Sequence, residues 1–328
     1  MNKKNQIISL LLTILLVLGL AGCGQTQKAE PVELDAVLQE TAEMLIEANP
    51  NPGCGSIGGE WSVFALSRWG GGIPEGAWFD TYYANLEEYV KECEGVLDAR
   101  KYTEYSRVIL ALTALGKNPA NVAGYNLLEP LADFDATIFQ GINGPAYALL
   151  ALDCGNYDIP AVKGDGTQAT RDMYVDYILS KEIQGGGWSL SGGGAAEADL
   201  TAMVLQALAK YQSREDVQAA VDRGVNVLAE MQSEDGGYES FGAASSESFA
   251  QAILALSELG IPMDDERFVK DGKSLVDRLL EYRADDGGFK HTLDGGSDML
   301  ATEQAFYALV GCDLAQQGMC IFAIRPVV

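Results

Sequence analysis

The sequence predicts an all-α fold of six helical hairpins, with six apolar inner helices alternating with six amphipathic outer ones. Two observations carry this. Apolar stretches containing Ala-Leu recur at Ala65-Leu66, Ala111-Leu112, Ala151-Leu152, Ala207-Leu208, Ala255-Leu256 and Ala308-Leu309. In the second half of the chain, three of them follow a glycine pair and an aromatic: Gly186-Gly187-Trp188, Gly236-Gly237-Tyr238 and Gly287-Gly288-Phe289. The aromatics at 188, 238 and 289 stand 50 and 51 residues apart. A fixed period of that size marks a repeat architecture in which each unit buries its face against its neighbours.

The elements follow in alternation. Outer segments with charged faces are expected over Leu34 to Ala48, Asp80 to Leu97, a short stretch around Leu127 to Phe134, Thr170 to Lys181, Glu215 to Gln232, and Arg267 to Tyr282. In the fifth, Val217, Val221, Val225, Leu228 and Met231 recur at steps of three and four, while Asp216, Asp222 and Glu230 face elsewhere. Between them lie the inner helices, nearly apolar all round, as in Val108-Ile109-Leu110-Ala111-Leu112 and Met203-Val204-Leu205-Gln206-Ala207-Leu208, which fits burial on most sides. Asn118-Pro119, Gly155-Asn156 and Gly260-Ile261-Pro262 punctuate the pairs. No strand is required anywhere. Beyond residue 311 the repeat stops, and 312–328, with its Cys320-Ile321-Phe322-Ala323-Ile324 run, reads as an irregular C-terminal tail.

Residues 1–22 read as a secretory signal: Lys3 and Lys4 precede an apolar run from Ile7 to Leu20 that is too short to span a bilayer comfortably. Leu20-Ala21-Gly22-Cys23 resembles the lipobox of bacterial lipoproteins. That resemblance implies cleavage before Cys23, lipid on its thiol and amino group, and an extracytoplasmic protein held on a membrane; more than one acyl chain makes such an anchor stable. Residues 23–31 then form a lipidated tether, and 32–311 the helical domain.

The 328-residue chain carries 22 Lys and Arg against 47 Asp and Glu, a formal charge of -25. Such acidity repels phosphate backbones and excludes nucleic acid as a partner. Besides Cys23, the cysteines are Cys54, Cys93, Cys154, Cys312 and Cys320, an odd and widely spaced set with neither a disulfide framework nor metal-ligand spacing. His291 is the sole histidine, so histidine-based metal sites and Ser-His or Cys-His nucleophiles have almost nothing to draw on. Neither a cofactor nor a metal is expected.

Six hairpins fit an open solenoid or a closed ring. Gln232-Ser233-Glu234-Asp235-Gly236-Gly237-Tyr238 and its relatives ending in Trp188 and Phe289 resemble the Gln-x-x-x-Gly-Gly-aromatic repeats of terpene cyclases and protein prenyltransferases. That superfamily also includes cobalamin carriers and complement thioester domains. The resemblance implies a closed (α/α)6 toroid whose inner helices run parallel and converge at their N-termini on one cavity.

The residues opening each inner helix are therefore the candidates for function. Thr103, Asn143, Asp199 and Glu247 stand eight before the alanine of an Ala-Leu pair, and Glu60, Glu104 and Glu303 five to seven before. Helix capping alone accounts for such residues equally well. Trp61 and Trp188 offer aromatic surface beside them. Class II terpene cyclases protonate an alkene with Asp-x-Asp-Asp followed by Thr-Ala, and Glu197-Ala198-Asp199-Leu200-Thr201-Ala202 resembles that pattern, with Asp199 on the general acid and Leu200 in place of the last aspartate. Zinc-dependent prenyl transfer lacks its ligands, since Ala301 stands where those relatives place a histidine. The Gly53-Cys54-Gly55 of a thioester motif continues as Ser56-Ile57, without the acyl partner.

The expectation is a binding or surface-interaction lipoprotein whose mouth, lined by Glu60, Trp61, Glu104, Asn143, Trp188, Glu247 and Glu303, takes a small molecule, glycan or protein. The alternative is a divergent cyclase acting through Asp199.

Overall fold

The computed structural model describes residues 34–71, 76–190, 192–234, 236–240 and 243–324. Cys23, the 1–22 leader and the 23–31 tether lie outside these residues.

Among the described residues twelve α-helices alternate as expected. The inner six are α2 (Glu60–Trp69), α4 (Thr103–Ala114), α6 (Asn143–Cys154), α8 (Ala198–Leu208), α10 (Ser246–Leu259) and α12 (Met299–Gln316). Each packs on the next, and α12 packs on both α10 and α2, so the contacts run round a ring. Val108 to Leu112 and Val204 to Leu208 are buried on all sides, because an inner helix has neighbours left, right and behind.

The outer six are α1 (Leu34–Ala48), α3 (Gly76–Glu92), α5 (Phe134–Thr137, after a 3-10 turn at Glu129–Ala132), α7 (Arg171–Ser180), α9 (Glu215–Met231) and α11 (Leu275–Leu280). Helices α7, α9 and α11 lean on the inner helix that precedes them, and α1 leans on α12, so the first helix of the domain meets the last. Their starts are encoded locally: Thr170 accepts a hydrogen bond from the Met173 amide, and Ser274 forms a reciprocal capping box with Asp277.

The three Gly-Gly-aromatic sequences build one and the same turn. Ile183 N–H donates to Gly187 O, Ser233 N–H to Gly237 O, and Ala284 N–H to Gly288 O, at 2.8–3.0 Å. The aromatic then enters the wall: Trp188, Tyr238 and Phe289 are all fully buried. Two of the three are pinned by an inner-helix threonine, whose Oγ1 accepts the aromatic's backbone N–H: Thr201 from Trp188 at 3.0 Å and Thr302 from Phe289 at 2.8 Å. That contact explains the second glycine. A Cβ on Gly187 or Gly288 would stand 3.0 Å from the same threonine oxygen, and closer still to Ala196 or Ser297.

Three expectations are corrected. Strands do occur: β1 (Glu239–Ser240) pairs with β2 (Ala243–Ala244), and β3 (Phe289–Lys290) with β4 (Ser297–Asp298), because the chain running from turn to inner helix must satisfy its own amides. The sixth outer helix starts at Leu275 rather than near Arg267, since Asp271 and Gly272 both adopt positive φ in a tight turn closed by the Lys270–Lys273 bridge. The third correction concerns 312–328. Helix α12 continues to Gln316, and the following strap is packed, with Ile321 and Phe322 buried. The Arg68 guanidinium, at the end of α2, donates to the carbonyls of Cys320, Ile321 and Ala323. Glu258, near the end of α10, accepts from Ile321 N–H at 2.8 Å, and Ile324 N–H reaches Cys154 O, at the end of α6, at 3.0 Å. The strap thus crosses the end of the ring where the inner helices finish. No helix of the described residues is long and apolar enough to cross a membrane.

Candidate functional site

Where the inner helices begin, a cavity of about 540 Å³ opens against the starts of α6, α8 and α10. Asn143 and Tyr147 come from α6, Asp199, Leu200 and Met203 from α8, Glu247 and Gln251 from α10, and Gln304 from α12. Met231, Leu190, Ala196 and Glu197 complete the rim from outside the ring. The helical period does the positioning: residues three or four apart on one inner helix share the face that looks inward.

Amides link the lining. Gln206 Nε2 donates to Gln251 Oε1 at 3.0 Å, and Gln251 Nε2 to Gln304 Oε1 at 3.1 Å, so α8, α10 and α12 are joined by a row of three glutamines. Glu247 meets His291, whose Nδ1 lies 2.8 Å from both carboxylate oxygens. The chain's one histidine therefore stands at the edge of the mouth. Among the described residues no Lys or Arg lines the cavity, and its charged lining groups are Glu197, Asp199 and Glu247.

Of the residues expected at the mouth, the structure brings Asn143, Asp199 and Glu247 together on this cavity. The others are placed elsewhere. Glu60 is fully buried between α2 and α4, where it accepts from Arg107 Nε at 2.8 Å, from the Tyr82 hydroxyl at 3.1 Å and from the Gly55 amide at 3.1 Å. Glu104 holds the other side of the same guanidinium, with Nη2 to Oε2 at 2.5 Å. Burial pulls the Arg107 pKa down, but the bonds to Glu104 and Glu60 outweigh it and the net shift is upward. The pair of acids is a clamp between two inner helices. Nearby, burial and Glu60 together push the Cys54 thiol far above its usual range, which disfavours its thiolate.

Glu303 is also fully buried, and accepts from the Gly58 amide at 2.8 Å and from the Ser62 hydroxyl. Among the described residues its Oε2 has no hydrogen-bond partner, and burial pushes its carboxyl up to about 7. Trp61 lies against Tyr307 of α12 and Tyr147 of α6, with ring centroids 5.5 and 5.8 Å apart. Since α2 and α6 are not neighbours in the ring, the Trp61–Tyr147 contact fills the axis on that side. Trp188 is sealed in the wall, its indole N–H on Ile178 O at 2.9 Å, and contributes nothing to the mouth.

Gln251 and Gln304 were not singled out by sequence, although both stand four residues before an Ala-Leu pair. The register was legible; glutamine is simply an unremarkable residue type. Among the described residues no group of three His, Cys, Asp or Glu is arranged to hold a metal ion, and Cys54, Cys93, Cys154, Cys312 and Cys320 are free thiols.

Residues 174–266 match the family model of the squalene-hopene cyclase C-terminal domain. The fold is a terpene cyclase-like α/α toroid. The matched stretch of the toroid contains Asp199, the turn that ends in Trp188, and Glu247. The toroid is also similar to the crystal structure of an unsaturated glucuronyl hydrolase from Bacillus sp. GL1, a protein responsible for the degradation of glycosaminoglycan: TM-score 0.55, 12% identity, covering 88% of this chain and 97% of that one. At that identity the likeness concerns the fold. No curated protein matches the chain.

Proposed function

We propose that this chain is a lipid-anchored extracytoplasmic binding protein whose mouth cavity holds a neutral, polyhydroxylated ligand, a glycan. The observation that carries the reading is the cavity lining: Asn143, Gln251 and Gln304 amides beside Asp199 and Glu247 carboxylates, over an apolar bed of Met203, Met231 and Leu190. Amides both donate and accept, and carboxylates accept from hydroxyls, so this set matches the alternating edge of a sugar. Methionine and tyrosine surfaces suit its C–H faces, the mix of apolar bed and few polar groups found in ligand sites. An all-acidic rim disfavours anionic ligands. The likeness to a toroid that degrades a glycosaminoglycan supports a saccharide as the ligand class.

Calorimetric titration with neutral oligosaccharides tests the reading, with sulfated ones of equal length as the contrast. Neutral chains are expected to bind, and Glu247→Gln and Asp199→Asn to weaken them about tenfold each, the loss of one charged hydrogen bond. Binding of the sulfated series alone would sink the reading. Anchoring through Cys23 rests on the charged leader, its apolar run and Leu20-Ala21-Gly22-Cys23. Cys23→Ser is expected to move the protein from the membrane to the soluble fraction.

The second reading is a divergent cyclase with Asp199 as general acid, favoured by the family match over 174–266. Against it stand Leu200 in place of an aspartate, the Trp61–Tyr147 contact filling the axis, and the intermediate exposure of Asp199. Cyclised products from a linear polyene, abolished by Asp199→Asn, would establish it.

A further inference from the structure

A second cavity of about 250 Å³ lies toward the other end of the ring, walled by Leu150, Gln206, Ala207 and Glu258 and by Phe322 and Ala323 of the strap. Its walls continue those of the mouth. On α6, Tyr147 lines the mouth and Leu150 the lower chamber; on α8, Met203 lines the mouth and Gln206 the lower chamber. Each step is three residues, about 4.5 Å along a helix, which is one layer of side chains. On α10, Gln251 lines the mouth and Glu258 the lower chamber. Between the two spaces runs the bond from Gln206 Nε2 to Gln251 Oε1, 3.0 Å long, with a second contact to Gln251 O at 3.4 Å.

We propose that the two cavities are halves of one channel on the α6, α8 and α10 side of the aromatic-filled axis, and that the Gln206–Gln251 pair is the floor that sets how long a ligand the mouth can take. The ligand class follows: a compact polar head among Asn143, Asp199 and Glu247, with any attached chain stopped at the amide layer. This rests on the mouth being the binding site. The floor is tied across three inner helices, Gln206 to Gln251 and Gln251 to Gln304, so opening it breaks hydrogen bonds that hold the layer together, above a chamber walled by Leu150, Ala207 and Phe322 as well as by Asp153, Lys210 and Glu258.

The test is a chain-length series of butyl, hexyl and octyl β-glucosides, with methyl β-glucoside as the chain-free control, titrated into the folded full chain. With the wild type, affinity is expected to be flat from butyl to octyl. With Gln206→Ala/Gln251→Ala, the chain enters the lower chamber and affinity rises about fourfold per added methylene, the transfer of one CH₂ out of water. Gln206→Leu keeps the layer filled without the hydrogen bond and is expected to behave as the wild type. Identical chain-length dependence in the wild type and the double variant overturns the floor. A matching series of n-alkanols separates the two claims. If methyl β-glucoside fails to bind the wild type while the alkanols still gain with length only in the double variant, the glycan reading falls and the floor stands. If the glucoside binds and neither series distinguishes the variants, the floor falls and the glycan reading stands. Should the double variant not fold, Gln251→Ala alone removes the acceptor and carries the same comparison.

Discussion

Glu303 illustrates how far a single buried group departs from its sequence signature. Its carboxyl stands on an inner helix five residues before Ala308, the place of a ligand-binding or capping acid, yet it is sealed, with one oxygen lacking a hydrogen-bond partner among the described residues. Because its pKa is raised from 4.5 to about 7, the folded chain binds this proton more tightly than the unfolded one. Its stabilising contribution is therefore fully present below about 4.5 and is lost as the pH rises through about 7, roughly 3 kcal/mol in all. Glu258 shifts in the same direction, by burial, and to about the same value, so the wild type carries two such slopes. Denaturant unfolding at pH 5 and pH 8 is expected to show a smaller difference for Glu303→Gln than for the wild type. Parallel pH dependence in the two proteins would refute the assignment.

At the scale of elements, the Gly-Gly-aromatic turn was legible as a repeat, while its fastening to the ring was not. Thr201 belongs to the stretch that resembles a cyclase motif, yet its hydroxyl accepts from Trp188 N–H and donates to Trp188 O; Thr302 treats Phe289 in the same way. Two unrelated-looking threonines therefore do one structural job, and part of the motif-like pattern around Asp199 is explained by the wall. Thr201→Val and Thr302→Val each leave buried backbone groups unpaired, at a cost of about 1–3 kcal/mol per site. Thermal unfolding of both single variants and of the pair checks this, with near-additive losses expected because α8 and α12 do not touch directly in the ring order. The strap is the second element that sequence misjudged. Its apolar residues had no visible partner, because their partners are the ends of α2, α6 and α10, some 60 to 250 positions away. Deleting 320–328 exposes the sites of Ile321 and Phe322, each worth about 1.5–3 kcal/mol, and is expected to lower the melting temperature clearly. A melting temperature unchanged by the deletion would show the strap to be ornamental.

The whole molecule carries a formal charge of -25, spread over a ring with an acidic mouth. Self-repulsion of that size opposes compaction and is long-ranged at low ionic strength, where the screening length is about 30 Å at 0.01 M against about 8 Å at 0.15 M. Raising the salt across that interval should raise the melting temperature, with an uncharged osmolyte as the control; a fall would show that surface ion pairs such as Arg214 with Asp176 and Asp216 outweigh the repulsion.

Periodicity alone determined the all-helical class, the alternation of inner and outer helices and most helix positions, since burial on one face or on all faces is written locally at intervals of three and four residues. It also placed Asn143, Asp199 and Glu247 at helix starts. Only the tertiary structure decided which of the look-alike polar starts face open space: Glu60 and Glu104 are spent on Arg107, and Glu303 is sealed. The reason is physical. A carboxylate at a helix start has the same local sequence whether its neighbour across the ring is a guanidinium, a glycine amide or a cavity, and that neighbour is fixed by ring packing between residues far apart in the chain.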